Sequence, residues 1–221
     1  MTTTRRKLPR GRNALPVDEV ESLQRERLYA ALAKVLSERG YAATTVEDVI
    51  RQAGVSRQTF YRYFDSKADC FVAAYQAAGE DLLAQVLKQL SAPQDEAADT
   101  SDGADDDPRL RFERLVDAYL RTLAANWHTA RLCLVEAFAA GPDVLPTRAP
   151  LYDTVVDLVA ETLGAAGTEA RLVCRMILAA TTALATSAVA DNDPRQLDSA
   201  GAELNAYVRK LWDAGLLEPH E

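Results

Sequence analysis

From Leu28 the apolar side chains fall at Leu28, Ala31, Leu32, Val35 and Leu36, the i, i+3, i+4, i+7, i+8 stripe of an amphipathic helix, and Gly40 predicts its end. A second stripe, Val46, Val49, Ile50 and Ala53, opens after Thr45. That residue stands where an N-cap belongs, with Asp48 three positions on as its capping-box partner, and Gly54 stops the helix. Ser56 predicts the cap of a short third helix with Phe60 and Phe64 on one face. Ser66 with Asp69 predicts the start of a long fourth helix carrying Phe71, Val72, Tyr75, Leu82, Val86 and Leu90.

The pattern resumes at Asp107-Pro108, an N-cap followed by proline at the first helical position, with the stripe Phe112, Leu115, Val116, Tyr119 and Leu123. Gly141-Pro142 and the stretch from Gly164 to Gly167 break the later helices, and Asp193-Pro194 starts the last. No period-two strand pattern occurs, so the expected fold class is all-α. The run from Ala170 to Ala190 is apolar enough to suggest a membrane span. Arg171 and Arg175 within it favour a buried core helix instead, and no membrane partner is expected.

Composition changes this picture little. Of 221 residues, 48% are hydrophobic and 26% charged, which is ordinary globular usage. Charge changes it more. The chain carries a net −8, yet residues 1–75 hold 13 basic and 9 acidic side chains, leaving 12 basic and 24 acidic for the rest. One end is suited to a polyanion and the other is not. The segment 91–108 contains seven acidic and no basic residues and is expected to be a solvated linker, without the ligand spacing of a calcium loop. Arg5, Arg6, Lys7, Arg10 and Arg12 are expected on a polar arm, residues 1–18.

Cys70, Cys133 and Cys174 form no CxxC pair and, with two histidines, give no zinc-binding set, so no metal is expected. No phosphate-binding glycine loop, nucleophile elbow or paired-carboxylate motif occurs, so neither catalytic residues nor a cofactor is expected. The sparse cysteines and a start without an apolar signal region imply a cytoplasmic protein.

Residues 46–63 have the connectivity of a helix-turn-helix, with Ala53-Gly54-Val55-Ser56 as the turn. With Phe60 and Phe64 inward, Gln58 and Arg62 lie nearly opposite. Arg57, Gln58, Thr59, Tyr61, Arg62 and Tyr63 all carry hydrogen-bond donors, and none is acidic. Arg bonds guanine O6 and N7, and Gln bonds adenine N6 and N7, so Gln58 and Arg62 are the expected base readers. Tyr61 and Tyr63 suit phosphate oxygens. Lys67, at the start of the fourth helix, is expected to clamp a phosphate, and Thr45 fits both a cap and a phosphate contact.

These residues resemble the tetracycline-repressor (TetR) family of bacterial transcription regulators, over about Leu28 to Phe71. The resemblance is carried by Thr44-Thr45, Ala53-Gly54-Val55-Ser56, Thr59-Phe60-Tyr61, Phe64 and Lys67. It implies an amino-terminal three-helix DNA-binding domain, residues 19–66, and a larger helical domain, residues 67–221, that dimerises and binds an effector. By position it makes Thr45, Arg57, Gln58, Thr59, Tyr61, Tyr63 and Lys67 contacts to double-stranded DNA, a pseudo-palindromic operator.

The last two helices are implied to pair in a homodimer, through Leu172, Met176, Leu204, Tyr207, Val208, Leu211 and Trp212, although the same stripes would serve as intramolecular core. An unidentified small, largely apolar effector is expected among Tyr119, Trp127, His128, Phe138, Tyr152 and Met176, which would equally serve as core. The function expected is that of a repressor released from its operator by such an effector. The alternatives are a regulator of the same fold without small-molecule input, or an activator.

Overall fold

A computed structural model describes residues 16–92 and 107–217. The basic cluster of the arm and most of the acidic segment 91–108 lie outside the described residues. Among the described residues every regular element is helical: α1 (Val17–Ala43), α2 (Val46–Ala53), α3 (Arg57–Tyr63), α4 (Lys67–Leu90), α5 (Pro108–Ala125), α6 (Trp127–Arg131), α7 (Ala137–Ala140), α8 (Leu145–Leu163), α9 (Gly167–Ala190) and α10 (Arg195–Asp213). A π-helical turn, Leu132–Glu136, joins α6 to α7, and a 3-10 turn, Pro142–Val144, leads into α8. The fold is all-α, a helix-turn-helix unit followed by a larger helical unit.

The caps read from the sequence set the observed boundaries. The Thr45 hydroxyl accepts from Asp48 N at 3.2 Å while Asp48 Oδ2 accepts from Thr45 N at 3.1 Å, a reciprocal capping box. Ser56 and Ser66 cap α3 and α4 by accepting from Thr59 N and Asp69 N, each at 3.0 Å, and Asp107 accepts from Arg109 N at 2.9 Å with Pro108 opening α5. Gly54, at φ 65°, makes the left-handed turn between α2 and α3.

Two departures have physical causes. Gly40, at φ 75°, interrupts α1 as expected, but one further turn runs on to Ala43. Before Gly141 the chain is also broken at Asn126, where no glycine or proline stands, and the Asn126 side-chain amide donates to Gln85 Oε1 and to Thr122 O at 2.9 Å each. The chain therefore leaves α5 early, and the π-helical turn that follows shifts the phase of every later side chain.

Two packed clusters share α4. Phe71, Ala74 and Tyr75 belong to the amino-terminal cluster with Leu28, Leu32, Val49, Ile50, Phe60 and Phe64, whereas Leu82 and Val86 belong to the carboxyl-terminal one. Leu132, Ala137 and Val144 come from the second half of the chain yet pack in the amino-terminal cluster. The boundary between the two clusters thus runs through α4 and over the π turn.

One polar contact sits at that boundary. Glu136 is 4% exposed; its Oε2 accepts from Tyr41 N at 2.7 Å and its Oε1 from Arg131 Nε at 3.2 Å. Arg131 also donates to Val189 O, near the end of α9, at 3.3 Å. Removing one partner from a buried ionic contact leaves the others unpaired. Glu136→Ala should therefore lower unfolding stability by about 3 kcal/mol in urea titrations, and Glu136→Gln, which keeps an acceptor for Tyr41, by less. A Glu136→Ala protein within about 0.5 kcal/mol of wild type would show that this contact does not brace the two clusters.

Candidate nucleic-acid interface

Helix α3 is held by its apolar side. Phe60 is fully buried and Phe64 nearly so; their rings lie 5.7 Å apart, and Tyr29 of α1 packs 5.9 Å from Phe64. Burying an aromatic of this size contributes about 2 to 3 kcal/mol, enough to fix so short a helix against α1 and α2. Arg27 of α1 donates to Ala53 O at 2.9 Å, closing the end of α2 beside the turn.

The opposite side of α3 faces solvent, but its donors are not equally free. Gln58, Tyr61 and Arg62 are exposed and make no hydrogen bond or ion pair among the described residues, with Tyr61 set edge-on to Phe60 at 5.3 Å. Arg57 is paired with Glu47 of α2. The Thr59 and Ser56 hydroxyls share a hydrogen bond of 2.8 Å. Tyr63 is half-buried beneath the Arg25 guanidinium, 5.4 Å from its ring centroid. The Thr45 hydroxyl is engaged by Asp48 Oδ2 at 2.6 Å, and those hydrogen bonds, with Arg39 and Arg51 beside the group, hold the Asp48 carboxyl below the usual range.

Lys67 differs from the expected free phosphate clamp. Its Nζ donates to Tyr41 O at 2.7 Å and Thr44 O at 2.9 Å and lies 4.0 Å from the Tyr41 ring centroid. Two of its three N–H groups thus close the carboxyl end of α1, and partial burial lowers its pKa. Reading Lys67 only from its place at the start of α4 missed these carbonyls, more than twenty residues away in sequence.

The larger unit encloses a cavity of about 170 Å³ between α4, α5, α8, α9 and the π turn, walled mainly by Leu, Val, Ile and aromatic side chains. Of the residues expected at an effector pocket, Tyr119, Phe138 and Tyr152 line it. Trp127, His128 and Met176 do not. The break at Asn126 turns Trp127 outward to bond Asn192 Oδ1 at 2.8 Å, His128 is exposed, and Met176 is 63% exposed on α9. The sequence reading passed over Tyr75 and Cys133 as cavity residues, and Glu136 at the joint. Only the π turn and α4 bring these together.

The expected dimer face also divides. Leu172, Met176 and Tyr207 are exposed, Leu204 and Val208 are buried in the chain's own core, and Leu211 and Trp212 pack against that core partly buried. Helix α9 is long and apolar enough to cross a membrane by length and composition, with 33% of the apolar window buried. One side of it packs in the core through Cys174, Ile177, Ala185, Ala188 and Val189, and the other side faces solvent. Its exposed stripe is apolar, and Arg171 and Arg175 pair with Asp157 and Asp153 of α8.

Residues 28–74 match the model of the bacterial regulatory proteins of the tetR family. Across 205 residues, 90% of this chain and 84% of the other, the sequence is 26% identical to the HTH-type transcriptional activator FasR of Mycolicibacterium smegmatis. It is 28% identical over 144 residues to the HTH-type transcriptional regulator EthR of the same organism, covering 64% of this chain and 59% of that one. The fold matches the regulator FadR of Bacillus subtilis, solved in complex with stearoyl-CoA, with a TM-score of 0.64 at 16% identity over 89% of this chain and 99% of that one. The matched segment is the one that builds α3 and its supports, so residues 28–74 carry the DNA-binding region of the tetR family of transcription regulators, within an all-helical chain similar over most of its length to such regulators.

Proposed function

We propose that the protein acts as a homodimer that binds a pseudo-palindromic operator in double-stranded DNA and is released from it by a small, largely apolar effector. The observation that carries this reading is the set of unpartnered, non-acidic donors on α3 (Gln58, Tyr61 and Arg62), joined through α4 to an apolar cavity. Gln58 and Arg62 read base edges. Tyr61, Tyr63, Thr59, Thr45 and Arg57 position the phosphates, Arg57 after giving up Glu47, and Lys67 offers its remaining N–H.

One seven-residue helix is too small to specify a site, so two copies must act about 34 to 36 Å apart, one helical turn of DNA, or a multiple of it. Leu172, Met176 and Tyr207 supply the exposed apolar stripe for pairing, with Leu211 and Trp212 at its border. Such a protein works in the cytoplasm.

The acyl chain of the stearoyl-CoA bound by Bacillus subtilis FadR supports an apolar body for an effector of this fold. A second reading, that the bound state switches genes on, is favoured by the similarity to FasR, an activator, over most of the chain. In both readings the DNA chemistry is the same, and operator position decides the sign.

Selection of bound fragments from genomic DNA tests the reading: recovered sites should be two-fold symmetric, and their affinity should change about 5- to 150-fold with a bound effector. Asymmetric sites, or a protein that stays monomeric at micromolar concentration and on DNA, would overturn it. Arg62→Ala and Gln58→Ala should each cost about 1 to 3 kcal/mol at the operator and relax base preference at one position, as read by competition binding. Lys67→Ala should weaken all sequences alike, reduce the salt slope by about one unit and also lower thermal stability, since α1 loses its closing donor. In sedimentation, Met176→Glu combined with Tyr207→Glu should shift dimer to monomer; an unchanged dimer would place the interface elsewhere.

A further inference from the structure

The cavity wall is apolar apart from a few groups, and two of these are phenols with nothing to bond. Tyr75 of α4 and Tyr119 of α5 both line it, and neither makes a hydrogen bond among the described residues. The Cys133 thiol, from the π turn, lines the same space. A phenol that lines a cavity among apolar side chains, with no partner in the protein, is free to donate to an acceptor that enters that space.

The surroundings also disfavour charge. Burial pushes the Tyr75 phenol up to about 12 and the Cys133 thiol up to about 12, and raises Tyr119 further. Both phenols therefore remain protonated donors at neutral pH. An anion entering this space meets the same penalty. The one cation on the wall, Arg148, stands where the cavity opens into the surface groove, over the Phe138 ring at 5.3 Å. It can hold an anion at the mouth and not beside the phenols.

We infer that the cavity binds a compact, uncharged molecule with an apolar body and one hydrogen-bond-accepting oxygen, such as a ketone, ester or lactone, and that Tyr75 and Tyr119 are the donors that select it. This rests on the proposed reading of the protein as a ligand-responsive regulator and names the chemistry of its effector. A cavity of about 170 Å³ is on the scale of the roughly 150 Å³ apolar cavity that takes up benzene, so the enclosed body is small. Tyr75 lies on α4, the helix that starts at the DNA-facing Lys67, so occupation is felt directly by the element shared between the two clusters.

Calorimetric titration without DNA separates this inference from the regulatory reading. The probes are methyl hexanoate, hexanoate and toluene, applied to wild type, Tyr75→Phe, Tyr119→Phe and Arg148→Ala. Methyl hexanoate should bind at least about tenfold more tightly than hexanoate at pH 7, with an affinity that is flat from about pH 6 to pH 9 because neither phenol titrates there. Each Tyr→Phe change should weaken the ester about two- to tenfold and leave toluene unaltered, the signature of a lost hydrogen bond without lost packing.

Hexanoate binding as tightly as the ester and depending on Arg148, equal effects of Tyr→Phe on ester and toluene, or no binding of any probe at millimolar concentration would each overturn the inference. If the ester binds in the expected pattern while operator affinity does not respond, the specificity stands and the regulatory reading fails.

Discussion

The peptide of Tyr41 is held from both sides. Its N–H is taken by Glu136, from the π turn that helps wall the cavity, and its carbonyl by Lys67, the first residue of α4. The Tyr41 ring completes the joint, edge-on to Phe71 at 5.2 Å, with the Lys67 ammonium over the ring at 4.0 Å from its centroid. The supports of α3 lie close to this point, since α1 packs in the same cluster as Phe60 and Phe64, and α4 continues directly from the turn after α3. A backbone group fixed by a carboxylate 95 residues away cannot shift alone. The cavity wall and the helix-turn-helix unit therefore share a polar joint at Tyr41.

That arrangement explains how a small occupant could matter. Packed clusters switch between discrete arrangements more readily than they deform, and the cavity is bounded by Tyr75 and Leu82 on α4 and by Cys133 and Leu134 on the π turn. Cys133 and Leu134 are close in sequence to Glu136 on the π turn, and Tyr75 is joined to Lys67 by the continuous helix α4. Close packing tightens the link. A Cβ at Gly79 on α4 would meet the Leu151 side chain of α8, so these helices approach closely there. The proposed effector thus needs only differential affinity for two positions of α4, and a coupling of about 1 to 3 kcal/mol suffices to change operator occupancy.

What could be read from the sequence follows a physical division between local and distant interactions. Caps are local: Thr45 with Asp48, Ser56 with Thr59 and Asp107 with Pro108 declare themselves within three residues, and the structure has helices starting there. The inward placement of Phe60 and Phe64 is equally local, because a single short helix has one phase. Glu136 was illegible because its partner lies 95 residues away and the π turn has no sequence period. Lys67 was read from its own helix start, while the carbonyls it binds belong to the end of α1. The pocket and dimer stripes suffered from phase and assignment: the break at Asn126 rotated Trp127 and His128 away, and the stripe on α10 split between the chain's own core at Leu204 and Val208 and the exposed Tyr207.

The central claim, that the Tyr41 joint ties the cavity to the DNA-reading helix, is tested most directly by hydrogen exchange at the Tyr41 amide and across residues 132–136, in the free protein and in its operator complex. Coupling is reciprocal, so DNA held at α3 must select one arrangement of the joint, even with no effector present. The account predicts that exchange at the Tyr41 amide and in the π turn changes about tenfold or more on operator binding, together with protection of α3. Protection confined to α2 and α3, with the Tyr41 amide and the π turn exchanging as in the free protein, would contradict it.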